Sequence, residues 1–259
     1  MTPHIKANIK NIPLQQLTQE FQALGIEGYR ARQVRKWLYQ KDATSFDEMT
    51  NIARKTRDLL KDYYEITRLT VLKQLTSTDG TIKYVIGLRD GLSIEAVWIP
   101  AEGRSTLCVS SQVGCAMGCA FCLTATMGFV RHLEVYEILE QVMTVRRTLP
   151  EGQGITNLVF MGMGEPLANT ANLYPALEIL IDPECFDFSK QHVTVSTCGL
   201  ADEIQKFGDR TNAKLAISLN ATTDVVRSQI MPINKKFPLD KLLSACRSMK
   251  LANRDRITF

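Results

Sequence analysis

The sequence predicts an α/β protein: a partial (β/α) barrel preceded by a small helical domain and a β-hairpin extension. Three observations carry this expectation. Apolar residues recur at three- and four-residue spacing over the first sixty-odd residues. The period changes to two between Thr67 and Pro100, and apolar runs then alternate with helical patterns from Ile155 onward. The expected boundaries are 1–65 for the helical domain, 66–100 for the extension and 101–259 for the barrel.

Each element follows from local pattern. In "PLQQLTQEFQALG", Leu14, Leu17, Phe21 and Leu24 share one helical face, and Gly25 supplies a carboxyl-terminal cap. "GYRARQVRKWLYQK" predicts a second helix with Val34, Trp37 and Leu38 on one side and Arg32, Arg35, Lys36 and Tyr39 on the other. A third helix is expected over "SFDEMTNIARKTRDLLKDYY". The segments "LTVLKQLTS", "TIKYVIGL" and "LSIEAVWIP" alternate as strands, and Asp79-Gly80 and Asp90-Gly91 are hairpin turn signals between them. Beyond the cysteines, "ITNLVFMGMG" precedes "NLYPALEILI", "HVTVSTCG" precedes "LADEIQKFG", and "AKLAISLNA" precedes "DVVRSQI" and "LDKLLSACRSM". Such alternation makes parallel strands with crossover helices. The closing "RDRITF" resembles the onset of another strand, and the chain is expected to be truncated in mid-architecture.

Composition narrows the class. Seven cysteines in 259 residues do not make a disulfide scaffold, and "MTPHIKANIK" lacks the apolar core of a signal peptide, so a cytoplasmic protein is expected. No apolar run reaches the roughly 20 residues that span a bilayer. Lys plus Arg total 31 against 27 for Asp plus Glu, a balance that permits a nucleic-acid partner without arguing for one.

The chemistry concentrates in "GCAMGCAFC", where Cys115, Cys119 and Cys122 stand at C-x3-C-x2-C spacing. Gly114 and Gly118 permit the tight turns that would bring three thiolates onto one soft metal centre. A structural zinc site or a fully ligated iron–sulfur cluster needs a fourth ligand, and none is local. The readings are therefore a zinc knuckle closed by His132 or a distant cysteine, scattered buried thiols, or a cluster with one iron open to substrate.

The wider run "CVSSQVGCAMGCAFCLTATMGFVRHL" resembles the cluster-binding loop of radical S-adenosylmethionine (SAM) enzymes, C-x3-C-x-aromatic-C, with Phe121 as the aromatic. With Cys108 seven residues before Cys115, and with "GYRARQVRKWLYQK", "IEAVWIP", "FMGMGEPL", "VSTCG" and "SLNATTDVVRSQIMPIN", the whole chain is similar to the RlmN/Cfr family of RNA adenine methyltransferases.

That resemblance implies a radical SAM partial barrel and specific roles. Cys115, Cys119 and Cys122 would hold a [4Fe–4S] cluster, and the amino and carboxylate groups of SAM would chelate the open iron. Gly164 and Glu165 would hold the methionine end of SAM. Ser196, Ser218 and Asn220 would make further cosubstrate contacts, with Asn220 where many relatives have His. Glu95, expected on the same face as Val97 and Ile99, would be a partly desolvated proton acceptor near the substrate. Cys108 would assist resolution of a covalent RNA–protein intermediate, formed after one SAM methylates a second catalytic cysteine and another supplies the radical. That second cysteine lies beyond the matched region in the family, and Cys185, Cys198 and Cys246 do not match its motif.

The implied reaction is methylation of C2 of adenosine in 23S ribosomal RNA and transfer RNA. A Cfr-like C8 methyltransferase and a catalytically incomplete RNA-binding fragment are the alternatives. The implied partners are these RNAs and an electron donor such as flavodoxin, with no membrane, acting on a monomer. Arg32, Arg35 and Lys36 with Tyr39 would offer phosphate contacts, and Lys235 and Lys236 could add to them.

Overall fold

A computed structural model gives the protein's structure for residues 6–251 and 255–259. Three helices open the chain: α1 (Leu14–Ala23), α2 (Arg30–Tyr39) and α3 (Arg54–Tyr63). Gly25, at φ +71°, follows α1 in the left-handed conformation that its capping role requires. The expected long third helix is broken. Ser45 caps a separate short turn at Phe46–Glu48 through a capping box with Glu48, and α3 starts only at Arg54. Strands β1 (Ala7–Asn8) and β2 (Tyr64–Glu65) pair in parallel and bring the two ends of this segment together.

The face of α2 departs from expectation. Arg32 and Lys36 reach solvent, whereas Arg35 and Tyr39 are 7% and 4% exposed. The Tyr39 ring packs 5.2 Å from that of Phe186. The helix is covered on both sides, by the helical segment's own core and by the barrel, so half of the expected basic face is interior. Arg32 is itself paired with Glu184 at 3.0 Å.

Next come β3 (Thr70–Thr76), β4 (Ile82–Gly87) and β5 (Ser93–Ala101), the expected meander, with Gly80 and Gly91 at φ +83° in its turns. They do not form a separate sheet. Antiparallel pairing continues to β6 (Arg104–Cys108), which pairs in parallel with β9 (Asn157–Phe160). Before β9, β7 (Gln112–Gly114), the single turn α4 (Leu123–Thr126), β8 (Phe129–His132) and α5 (Val135–Thr148) intervene. After it follow α6 (Thr170–Ile181), β10 (Val193–Thr197), α7 (Ala201–Arg210), β11 (Lys214–Ile217), α8 (Asp224–Ile230) and α9 (Leu239–Ser248). One seven-stranded sheet results, in the order β11-β10-β9-β6-β5-β4-β3. The expected final strand begins to pair: Ile217 N–H donates to Thr258 C=O at 2.7 Å, and Arg254 lies outside the described residues.

Alternation along the strands gives the sheet two unlike faces. Leu107, Leu158, Phe160, Val193, Val195 and Leu215 point to the side covered by α5, α6 and α7 and join one continuous apolar core with those helices. The core extends without a break to Leu17, Phe21, Val34 and Leu38 of the helical segment. On the other face stand Lys83, Glu95, Val97, Cys108, Val159 and Ser196, all only half-buried. The register sets Val97 opposite Cys108 and Cys108 opposite Val159, so these side chains form rows on the inner, open face of the partial barrel. Among the described residues no helix is long and apolar enough to cross a membrane.

The helix α5 is not among the elements named from periodicity, yet every residue from Val135 to Val145 is buried. Its polar side chains Glu137, Glu140, Gln141 and Thr144 recur at three- and four-residue spacing and read as a solvent face. Instead they contact backbone and charged groups of neighbouring segments.

Candidate active site

The cysteine loop begins where β6 ends, and buried amides fix it there. Gln141 of α5 accepts from Ser110 N–H at 2.7 Å and returns a bond to Ser110 C=O at 3.0 Å. Asn169 Nδ2 donates to the carbonyls of Ser111 and Leu133 at 2.9 and 2.8 Å. Gly114 must be glycine: its φ is +72°, and a Cβ there would lie 1.8 Å from the Gly128 carbonyl oxygen. That close approach lets β7 pair with β8, closing the loop at its base, where Cys115 N–H donates to Gly128 C=O at 2.9 Å. At its far end Ala120 N–H donates to Ile230 C=O at 2.8 Å, which ties the loop to the last residue of α8.

Cys115, Cys119 and Cys122 line a cavity of about 250 Å³ at the carboxyl ends of β9, β10 and β11. Met161, Gly164, Glu165, Ser196, Cys198, Ser218 and Met231 complete its wall. The structure therefore gathers seven expected site residues: the three cysteines, Gly164, Glu165, Ser196 and Ser218. Ser196 and Ser218 come from adjacent strand ends, their hydroxyls 3.4 Å apart. Asn220 is not among the lining residues; it is exposed, with φ +59°.

Glu165 is 4% exposed. Its carboxylate accepts from Cys198 N–H at 2.7 Å and Leu167 N–H at 3.1 Å, while its own N–H donates to Gln112 Oε1 at 2.8 Å. Burial pushes its carboxyl above the usual carboxylate range, and the Cys198 N–H opposes that push. Gly164, at φ +98°, sets the approach, since a Cβ would come within 2.5 Å of Gln112 Cβ. Gly164→Ala is expected to cost about 1–3 kcal/mol of stability through backbone strain, read from the urea midpoint, and to weaken SAM binding in titration calorimetry.

Cys108 and Glu95 lie outside this cavity but at the same end of the sheet. Burial raises the Cys108 thiol to about 11, so it is protonated at neutral pH unless a neighbouring charge or base intervenes. Glu95 shares a face with Val97 and Ile99, as expected, but this is the open face of the sheet and not the core face. The buried residues of β5 are Ile94, Ala96 and Trp98, whereas Val97 is half-buried and Ile99 exposed. Glu95 is 42% exposed and paired with Lys83 Nζ at 2.6 Å. Cys185 and Cys246 are buried in the core.

The residues present fit a cluster with an open iron better than a zinc knuckle. His132, the local candidate for closing a zinc site, is engaged with Gln112 Nε2 through Nδ1 at 3.0 Å. The fourth thiol at the cavity, Cys198, is buried beside Glu165, and both features push it far above thiolate range. Three cysteines face a largely apolar cavity that also holds a carboxylate and two hydroxyls, groups able to pair with the amino, carboxylate and ribose groups of SAM.

Arg227, Gln141 and Asn169 carry none of the motif's chemistry and are not named by the sequence reading. An arginine inside "DVVRSQI" reads as a helix-surface charge, but Arg227 is fully buried.

Comparison with known proteins agrees with this site. Residues 7–66 match the family model for the ribosomal RNA large subunit methyltransferase N-terminal domain, and residues 109–259 match the radical SAM superfamily. The chain is 51% identical to the dual-specificity RNA methyltransferase RlmN of Pelobacter propionicus, over 98% of its own length and 72% of that protein's. It is 50% identical to the RlmN of an Anaeromyxobacter species, over 99% and 70% of the two lengths. The crystal structure of a radical SAM methyltransferase from Sphaerobacter thermophilus superposes with a TM-score of 0.84 at 37% identity, covering 93% of this chain and 72% of that one. The thiols, the buried carboxylate and the strand-end hydroxyls thus sit in a chain whose two matched regions and near-complete alignment agree: it belongs to the RlmN family of radical SAM RNA methyltransferases.

Proposed function

We propose that the chain carries the site for methylating C2 of adenosine in 23S ribosomal RNA and transfer RNA, through a methylated-cysteine route. The observation that carries this reading is the shared cavity. Three thiols, the Glu165 carboxylate and the Ser196 and Ser218 hydroxyls line one volume, with Cys108 on the adjoining open face of the sheet.

In this reading Cys115, Cys119 and Cys122 hold a [4Fe–4S] cluster. Bound there, the cluster supplies the electron that cleaves the sulfonium of SAM. Gly164 and Glu165 hold the methionine end, with the carboxylate facing the ammonium, and Ser196 and Ser218 orient the remainder. Asn220 joins them only if its exposed loop folds toward the cavity. Cys108 acts on the inner face, where RNA would enter. Glu95 has the position of a proton acceptor but must part from Lys83 to serve as one. Residues 1–65 form the RNA-engaging unit, through Arg32 and Lys36 rather than the interior Arg35 and Tyr39. The extension 66–100 and barrel 101–259 share one sheet. An electron donor such as flavodoxin, a monomeric state and a cytoplasmic location complete the reading.

The test is anaerobic reconstitution with iron and sulfide, then SAM, reductant and RNA, with 5′-deoxyadenosine measured and the methyl group mapped on product RNA. Cluster-dependent cleavage with label at C2 is the expected result. Label at C8 would move the chain to the Cfr-like branch. Cleavage without RNA methylation would identify an incomplete catalytic fragment, and tight zinc with no cluster would overturn the reading.

A further inference from the structure

Arg227 is the largest fully buried side chain in the described structure, at 0% exposure. A guanidinium removed from water is costly unless its charge is compensated, and buried arginines ordinarily meet a carboxylate. This one does not: its hydrogen-bond acceptors are all neutral. Nη2 donates to Cys198 C=O at 2.7 Å and Ser218 C=O at 3.3 Å, Nε to Leu219 C=O at 3.1 Å, and Nη1 to Asn234 Oδ1 at 2.8 Å. Asn234, 1% exposed, is held through Nδ2 by Asp224 Oδ1 and Ser228 Oγ, both at 2.9 Å.

These contacts tie together the two stretches of cavity wall that follow β10 and β11. Cys198 and Ser218 immediately follow β10 and β11, and the Cys198 N–H is the donor that holds Glu165. Arg227 also lies one turn before Ile230, whose carbonyl anchors the cysteine loop, and its own carbonyl accepts from the N–H of Met231, which lines the cavity. Its guanidinium lies directly behind the cavity wall, bonded to the carbonyls of Cys198 and Ser218, which line the same cavity as the three cysteines. A cluster held by three thiolates beside the Glu165 carboxylate would carry net negative charge into this cavity, and Arg227 is the buried cation behind its wall.

We infer that Arg227 is a positioning residue with two effects, resting on the radical SAM reading above. Its fork sets the strand ends that receive SAM, and its charge is the buried counter-cation that makes an anionic cluster in this cavity easier to reduce. Net charge and hydrogen bonding around a cluster are among the levers that set its potential.

The two effects separate by substitution. R227K keeps the charge and loses the fork, R227Q keeps part of the fork and loses the charge, and N234A frees Nη1 while leaving the charge. The readouts are the midpoint potential of the reconstituted cluster, from a dye-mediated titration followed by electron paramagnetic resonance, and SAM affinity by calorimetry. R227Q is expected to shift the potential to more negative values than wild type, with R227K and N234A unshifted. R227K and N234A are expected to weaken SAM binding by about tenfold. A folded R227Q with the wild-type potential overturns the charge effect, and wild-type affinity in both R227K and N234A overturns the fork. Should R227Q fail to fold, R227M in its place reads the potential; should that fail too, R227K compared with wild type decides through affinity. A wild-type protein that forms no four-iron cluster overturns the functional reading and this inference with it.

Discussion

Cys119→Ala is expected to yield a folded protein that retains no four-iron cluster and forms 5′-deoxyadenosine only at background. The two outcomes separate because the loop does not depend on its thiols for shape. Its backbone bonds do that work: Cys115 N–H to Gly128 C=O, Ala120 N–H to Ile230 C=O, and Cys122 N–H to Cys119 C=O at 3.1 Å. The Cys119 side chain is only half-buried, so the stability change should stay within about 1 kcal/mol, read from the denaturant midpoint. Cys246→Ala is the control. That thiol lies in α9, packed in the core and away from the cavity lining, and its loss should leave cleavage intact. Cleavage surviving in Cys119→Ala would remove it from the ligand set; loss of iron in Cys246→Ala would show that cluster retention depends on general packing.

The cysteine site was legible in the sequence because its chemistry is local. Three thiols and two turn glycines within nine residues constrain what they can hold, and "GMGEPL" and "VSTCG" announce strand ends by the glycines that follow apolar runs. What was not legible depends on partners distant in sequence. The polar stripe of α5 has the spacing of a solvated face. It is interior because Arg131, Lys10, Leu69 and Ser110 arrive from four other segments to satisfy it. Arg35 and Tyr39 read as part of a basic surface for the same reason, since the helix gives no sign that Phe186 will pack on Tyr39 or that Arg35 will be buried. Glu95 shows a different limit. Alternation ranks it with Val97 and Ile99, but periodicity cannot say which face is the covered one, and here the apolar partners of the core are Ile94, Ala96 and Trp98.

Glu140→Ala is expected to produce the largest loss of stability of any substitution outside the cavity, about 3–5 kcal/mol, measured by urea unfolding. The side chains of Glu140 and Lys10 are both fully buried and meet at 2.5 Å. The carboxylate also takes bonds from Arg147 Nη1 at 3.1 Å and Leu69 N–H at 3.2 Å. Arg147 in turn pairs with Asp42 at 2.6 Å, and Arg68 reaches the same carboxylate at 2.8 Å. The network therefore fastens the helical segment and the residues leading into β3 onto α5. One position further along that helix, Gln141 holds Ser110 at the root of the cysteine loop.

Removing Glu140 leaves the Lys10 ammonium buried with the Thr67 carbonyl, 3.2 Å away, as its remaining hydrogen-bond partner. Burial already lowers the pKa of Lys10 with Glu140 present, so the variant should lower it further. The sign of the pH dependence follows. A lysine whose folded pKa lies below its unfolded value binds fewer protons folded than unfolded between the two. Stability of Glu140→Ala should thus be lowest below the depressed pKa and recover as pH rises toward the ordinary lysine range. The double variant Lys10→Met with Glu140→Leu removes both buried charges and should regain most of the loss, because the pair's worth lies mainly in not leaving either partner alone. A single variant as stable as wild type, or a double variant no better than the single, would mean that α5 is held by its apolar packing and not by the charge network.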